Sequence, residues 1–274
     1  MAPSLFSSIS AVILATAVAT VPADAASNSS AAHAPFGTIT SKSGECVVGD
    51  PNTYITPTDL KWIWDNNMQD VPKYNVWITD QLVANKGTIN YCIRWDGDTK
   101  LSKEIATKLQ PMLARQHAAW NRWLIGYNCW PYDEIKVNVV GVAVKDKTLV
   151  ELDDDTLGPI YVGDLDKDGS IGCKGKPYHI SLWPKQGLDG GWGTYWGQQV
   201  NLENMLEHLD DKELKIVSHE MGHGFGLPDF YGEESKPANF KPSIMEAGKS
   251  STVTDSDGWM LRRVLENKKK NYNF

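Results

Sequence analysis

Between residues 102 and 124, apolar side chains recur at Ile105, Leu109, Leu113, Trp120 and Leu124. That helical spacing predicts one amphipathic helix, with Ser102 placed to cap its start. Pro111 falls inside the run and predicts a kink or a split. Strand signals lie on either side. Asn75 to Leu82 and Thr88 to Trp95 flank an Asn-Lys-Gly turn and read as a hairpin. Ile135 to Val144 is rich in β-branched residues around Val137, Val139 and Val140, and Tyr178 to Trp183 is a shorter strand. Two later helices are expected, one from Asp211 to about Gly224 and one from Asp257 to Lys269. Asp210 stands where an N-cap belongs, and Glu213 three residues on completes a capping box. Mixed strands with long helices leave α+β or α/β, and α+β is the class expected.

Domain organisation follows from where this patterning stops. Leu5 to Val21 is apolar and uncharged, and Ala23-Asp24-Ala25 offers a small-x-small cleavage site, so residues 1–25 read as a secretory signal peptide. Its n-region carries no Lys or Arg. Residues 26–45 are rich in Ala, Ser, Asn and Gly and read as a flexible linker or short pro-segment, which also holds the Asn28-Ser29-Ser30 glycosylation sequon. A single domain is expected over 46–274. The expected localisation is secreted and extracellular.

Charge and cysteine usage narrow the classes. A net charge of −7 argues against nucleic acid or an anionic membrane as partner, and Lys268, Lys269 and Lys270 read as a solvated tail. Four cysteines, none in a Cys-x-x-Cys pair, suggest two disulfides in an exported chain. Three connectivities exist; neighbours in sequence would give Cys46–Cys92 and Cys129–Cys173. A free Cys46 thiolate capping a metal is the weaker alternative, because it strands an odd cysteine.

The chemistry lies in His219-Glu-Met-Gly-His223-Gly-Phe-Gly-Leu-Pro-Asp229. On a helix, His219 and His223 share one face and sit one turn apart, so both imidazoles can reach one tetrahedral zinc ion. Glu220 follows the first ligand, placed to take a proton from water beside the metal as general base. Gly226 can turn the chain in a left-handed conformation and Pro228 prevents the helix resuming. Asp229, six residues past His223, can then supply a third, oxygen ligand.

This HExxHxxGxxD pattern, with Ser243-Ile244-Met245 downstream, resembles the metzincin metallopeptidases, in the subset whose third ligand is Asp. Tyr195-Trp196-Gly197-Gln198 and Asp257-Gly258-Trp259-Met260-Leu261-Arg262 extend the likeness to secreted fungal and bacterial neutral zinc metallopeptidases, over roughly residues 75 to 270. The resemblance implies a zinc endopeptidase with a twisted mixed sheet, a cleft at the zinc, and Met245 beneath the ligands as a Met-turn. Some metzincins carry a Tyr two residues after that Met; here the position is Ala247, and Tyr231 is a candidate replacement.

Other features carry weaker signals. Asp164, Asp166, Asp168 and Ser170 resemble the first half of a calcium loop, with Gly169 at the sharp turn, but Gly175 stands where a bidentate Glu belongs. Structural calcium and a plain acidic turn are both open readings. The acidic run Glu151, Asp153, Asp154 and Asp155 reads as a solvated loop. Of the eleven tryptophans, Trp192 and Trp196 are expected at the rim of a substrate cleft, and Trp62, Trp64, Trp120 and Trp123 in the core. His117, His179 and His208 read as packed or surface histidines. The expected partner is a protein or peptide substrate, with a monomeric chain and neither nucleic acid nor membrane. Two other functions compete: a secreted carbohydrate- or surface-binding protein retaining a zinc scaffold, and a zinc hydrolase of non-peptide bonds. Glu220 argues against the first, since adhesion needs no base beside the metal.

Overall fold

Eight consecutive residues, Thr88–Trp95, form a strand (β1) buried on both faces, with Ile89, Tyr91, Cys92 and Ile93 at or near zero exposure. Such burial is the mark of a central strand in a largely parallel sheet. The computed structural model describes residues 46–167, 169 and 171–274. Ahead of β1 stand α1 (Pro57–Ile63) and α2 (Ile78–Ala84). After it come β2 (Leu101–Ser102), α3 (Lys103–Asn121), β3 (Lys136–Val144), β4 (Val150–Glu151) and β5 (Ile160–Val162). The second half holds β6 (Ile180–Lys185), β7 (Gly191–Thr194), β8 (Gly197–Asn201), α4 (Leu202–Glu207), α5 (Lys215–Gly224) and α6 (Asp255–Lys268).

The fold is α+β, around a mixed six-stranded sheet in the order β5-β3-β1-β6-β8-β7. All neighbours run parallel except β7, which pairs antiparallel to β8 and forms one edge. α5 packs against β7 and β8. α3 packs against β3 and α5, with the Trp120 indole N–H donating to Ser218 O at 3.1 Å.

Several sequence expectations need correction. The hairpin at 75–95 does not exist: residues 78–84 are helical, and β1 pairs with β3 and β6 instead. Asp80 accepts the Trp77 N–H at 3.0 Å, and Gly87 N–H closes the helix on Leu82 O at 2.8 Å. Ile78, Thr79 and Leu82 bury one helical face, so caps and packing override the β-branched composition. α3 runs unbroken through Pro111, with Ser102 Oγ accepting from Ile105 N as expected. An interior proline costs about 3 kcal/mol. Burying Leu109, Met112 and Leu113 completely returns about 1.5–3 kcal/mol each.

The disulfides join Cys46 to Cys129 and Cys92 to Cys173, so the pairing by sequence neighbours is wrong. A parallel bridge between Val47 and Tyr127 brings Cys46 to Cys129. Cys92 lies on the central strand, whose neighbours come from much later in the chain, and Cys173 packs with it against Ala143 and Ile171. Cys46 is therefore no free thiolate. Two disulfides suit a chain that folds in an oxidising compartment. Among the described residues no helix is long and apolar enough to cross a membrane. Residues 1–45, with the expected signal peptide, linker and sequon, lie outside the described residues.

Candidate metal centre

α5 carries the histidines, and its two ends are built differently. Its start is not capped by Asp210 and Glu213, as expected from the sequence. The helix begins at Lys215, where Gln116 of α3 accepts from Leu214 N at 2.8 Å and from Ser218 Oγ at 2.6 Å. Glu213 instead accepts from Val253 N at 2.8 Å, and Asp210 pairs with Lys108. The end follows the sequence reading. Gly226 has φ +92, Leu227 N–H donates to Gly222 O at 3.1 Å, and Gly226 N–H to His223 O at 2.9 Å. This double closure is a Schellman motif. It turns the chain back and delivers Asp229 to the histidines.

Asp229 Oδ1 lies 3.1 Å from His219 Nε2 and 3.3 Å from His223 Nε2. The distal ring atoms settle the protonation. His219 Nδ1 is 2.6 Å from Ile244 O, and His223 Nδ1 is 2.8 Å from Leu227 O. A carbonyl oxygen only accepts, so both Nδ1 atoms carry a proton, and each Nε2, when it carries none, turns a lone pair towards Asp229. Asp229 Oδ1 is itself buried and accepts no hydrogen bond. Three lone pairs thus converge on one point, an arrangement that only a cation or a proton relieves. Two imidazole nitrogens and one carboxylate oxygen are a donor set that suits zinc. Among the described residues, no other group of three or more His, Cys, Asp or Glu side chains could share an ion.

Without a cation, a proton is drawn to this point. Burial opposes charge on His219, but Asp229 and the Ile244 carbonyl outweigh it and raise its pKa. Burial likewise disfavours the Asp229 anion, yet the two histidines hold its pKa below the ordinary value. Glu220 is buried, with Oε2 3.9 Å from His223 Nε2, and burial pushes its pKa up to about 7 despite the neighbouring imidazoles. A carboxyl poised near neutrality suits a general base.

The edge strand passes directly over Glu220. A side-chain carbon at Gly191 would lie 2.6 Å from Glu220 Oε1, and one at Gly193 would run into the Glu220 backbone carbonyl. Only glycines permit this approach. Because Gly191 and Gly193 face α5, Trp192 between them projects to the opposite face of the sheet, 62% exposed. There Trp192 meets Trp196 edge-on at 5.8 Å, and Trp196 meets Trp183 at 6.5 Å. Trp192 and Trp196, expected at the rim of a substrate cleft, thus pack against each other, with Trp192 on the face of β7 away from Glu220. A cavity of about 300 Å³ opens beside Glu220 between Gly191, Lys215, Ile216, Tyr231 and Ala247. Tyr231 extends over the cluster, its hydroxyl 3.5 Å from His219 Nε2.

The remaining sequence candidates lie elsewhere. Asp166 does not stand open to a cation: Oδ2 pairs with Arg94 and Oδ1 with Lys174, each at 2.9 Å. Asp168 and Ser170 lie outside the described residues, and Asp164 lies on the same loop. His117 meets the Tyr91 hydroxyl at 2.9 Å, His179 Nδ1 accepts from Asn90 N at 3.0 Å, and His208 pairs with Asp211. Trp120 and Trp123 are buried, and Trp62 and Trp64 pack partly buried against the core. Nothing in the sequence pointed to Gln116, or to the contacts that Ser243 and Asp257 make behind His219 from other elements. Compared with protein-family models, curated proteins and solved structures, the chain gave no match.

Proposed function

We propose that this chain is a secreted zinc-dependent endopeptidase of the metzincin type. The observation that carries the reading is the convergence of His219 Nε2, His223 Nε2 and Asp229 Oδ1, with Glu220 at its side. Bound zinc supplies Lewis acidity, which polarises a carbonyl and acidifies water. Glu220 takes the proton from the attacking water and passes it to the departing amine. Among the described residues β7 is an edge of the sheet, where an extended peptide would add as a further strand and hold its scissile bond above Glu220. The cavity beside Glu220 receives one substrate side chain. The Tyr231 hydroxyl, on the open side of the cluster, donates a hydrogen bond to the oxyanion that develops during attack. A raised carboxyl beside a metal cluster serves hydrolysis and has no use in adhesion, which favours an enzyme over a binding scaffold. The two disulfides support export.

The deciding experiment combines metal analysis with digestion of an unfolded protein substrate by wild type and Glu220→Gln. Wild type is expected to hold one zinc per chain and to cleave in a chelator-sensitive way. The variant should keep zinc and lose activity by about 10²–10⁴-fold. Equal activity in the two would remove Glu220 from the mechanism, and a wild type without zinc would remove the site.

A further inference from the structure

The two histidines differ in what lies behind them. His219 Nδ1–H donates to the carbonyl of Ile244, and the N–H of that same peptide unit, on Met245, donates to Ser243 Oγ at 3.0 Å. The Ser243 hydroxyl in turn donates to Asp257 Oδ1. A continuous chain of donors therefore runs from the imidazole through one peptide group and one hydroxyl to a carboxylate. Every member is buried: Ser243 and Asp257 have no exposure, and Ile244 and Met245 at most 1%. His223 has no such backing. Its partner carbonyl belongs to Leu227, and the following residue is Pro228, whose nitrogen carries no hydrogen to extend the chain.

We propose that Asp257 and Ser243 are positioning residues for the metal centre, acting on His219 through the Ile244–Met245 peptide. The inference rests on the zinc reading of the site. Each bond in such a chain polarises the next, so the carboxylate makes the Ile244 carbonyl a stronger acceptor and the His219 Nε2 lone pair a stronger donor. The same contacts fix where that carbonyl stands. Asp257 Oδ2 also accepts from Ile244 N at 3.0 Å, which anchors the preceding Ser243–Ile244 peptide as well. Helix capping alone does not account for this. The capping box of α6 needs only Thr254, which donates to Asp257 from its N–H at 2.7 Å and its hydroxyl at 2.6 Å. The bonds to Ser243 and Ile244 are additional and point towards the metal ligand.

Ser243→Ala tests this with little change in volume, and Ser243→Thr restores the hydroxyl. The readouts are the zinc dissociation constant, from competition with a chromogenic chelator, and the nuclear magnetic resonance shift of the His219 Nδ1 proton in zinc-free protein. Ser243→Ala should weaken zinc binding by about 10–100-fold, the usual range for groups that orient a metal ligand, and move the Nδ1 proton upfield. Ser243→Thr should recover most of both. Asp257→Asn should act in the same direction as Ser243→Ala, and if it does not fold the serine variants decide alone. Unchanged affinity and proton shift in Ser243→Ala, with wild type binding one zinc that His219→Ala abolishes, would overturn the relay and leave the zinc reading standing. Failure of wild type to bind zinc through His219 would overturn both.

Discussion

Gly222 and Met245 are in contact with no room between them. A side-chain carbon at Gly222 would overlap the Met245 sulfur and stand 3.0 Å from both Met245 Cε and Trp120 Cζ2. Gly222 lies on α5 between His219 and His223, so the methionine packs directly against the segment that carries both histidines. Gly222→Ala is expected to destabilise the fold by about 1–3 kcal/mol, as overpacking of a filled core does. Because the added methyl pushes α5 off its seat, zinc affinity should fall as well. Urea denaturation and zinc titration of the same variant check both. Full stability would show that the methionine gives way freely.

The Tyr231 hydroxyl lies 3.5 Å from His219 Nε2 and is the oxyanion donor in the proposed function. Tyr231→Phe should lower kcat by about 10²-fold, the cost of removing one oxyanion donor, with KM and zinc content nearly unchanged. Steady-state kinetics on a fluorogenic peptide separate these quantities. A loss confined to KM would assign Tyr231 to substrate binding instead.

Stability should respond to pH through His117, which is wholly buried on α3. Burial pulls its pKa down to about 3. The unfolded chain, at about 6.5, binds the proton more readily than the folded one, so the unfolded state carries more protons between these values. The contribution is complete above about pH 6.5 and is lost as pH falls towards 3, at up to about 1.4 kcal/mol per pH unit. Denaturation of zinc-free wild type and His117→Gln from pH 7 to 5 gives the comparison. Wild type should show the steeper loss on acidification; parallel slopes would mean that His117 is protonated in the folded state.

The disulfides each close a span of just over eighty residues, 83 for Cys46–Cys129 and 81 for Cys92–Cys173. Loops of that size stabilise by about 4 kcal/mol through the unfolded chain. Against a total stability of about 5–15 kcal/mol, losing either bond should lower the urea midpoint markedly. Paired Cys→Ser replacements at 46 and 129, and separately at 92 and 173, test the two bonds one at a time. Peptide mapping without reduction tests the pairing itself.

What the amino-acid sequence determined alone is what depends on residues within a turn or two of each other. The His219–His223 spacing, the Gly226 reversal that delivers Asp229, the Ser102 cap and the strands at 88–95 and 136–144 are all of this kind, because backbone conformation and side-chain period decide them locally. Tertiary structure decided the rest. Cys92 found Cys173 because parallel strands bring together segments far apart in the chain. Gln116, not Asp210 and Glu213, meets the start of α5, because α3 packs against it. Residues 78–84 became helical because Asp80 and Gly87 close both ends and one face is buried. Trp192 turned away from Glu220 because the two glycines beside it let β7 press against that residue. The link from His219 to Asp257 spans two loops and a helix, and only the packing of the Met245 turn under α5 brings those groups into line.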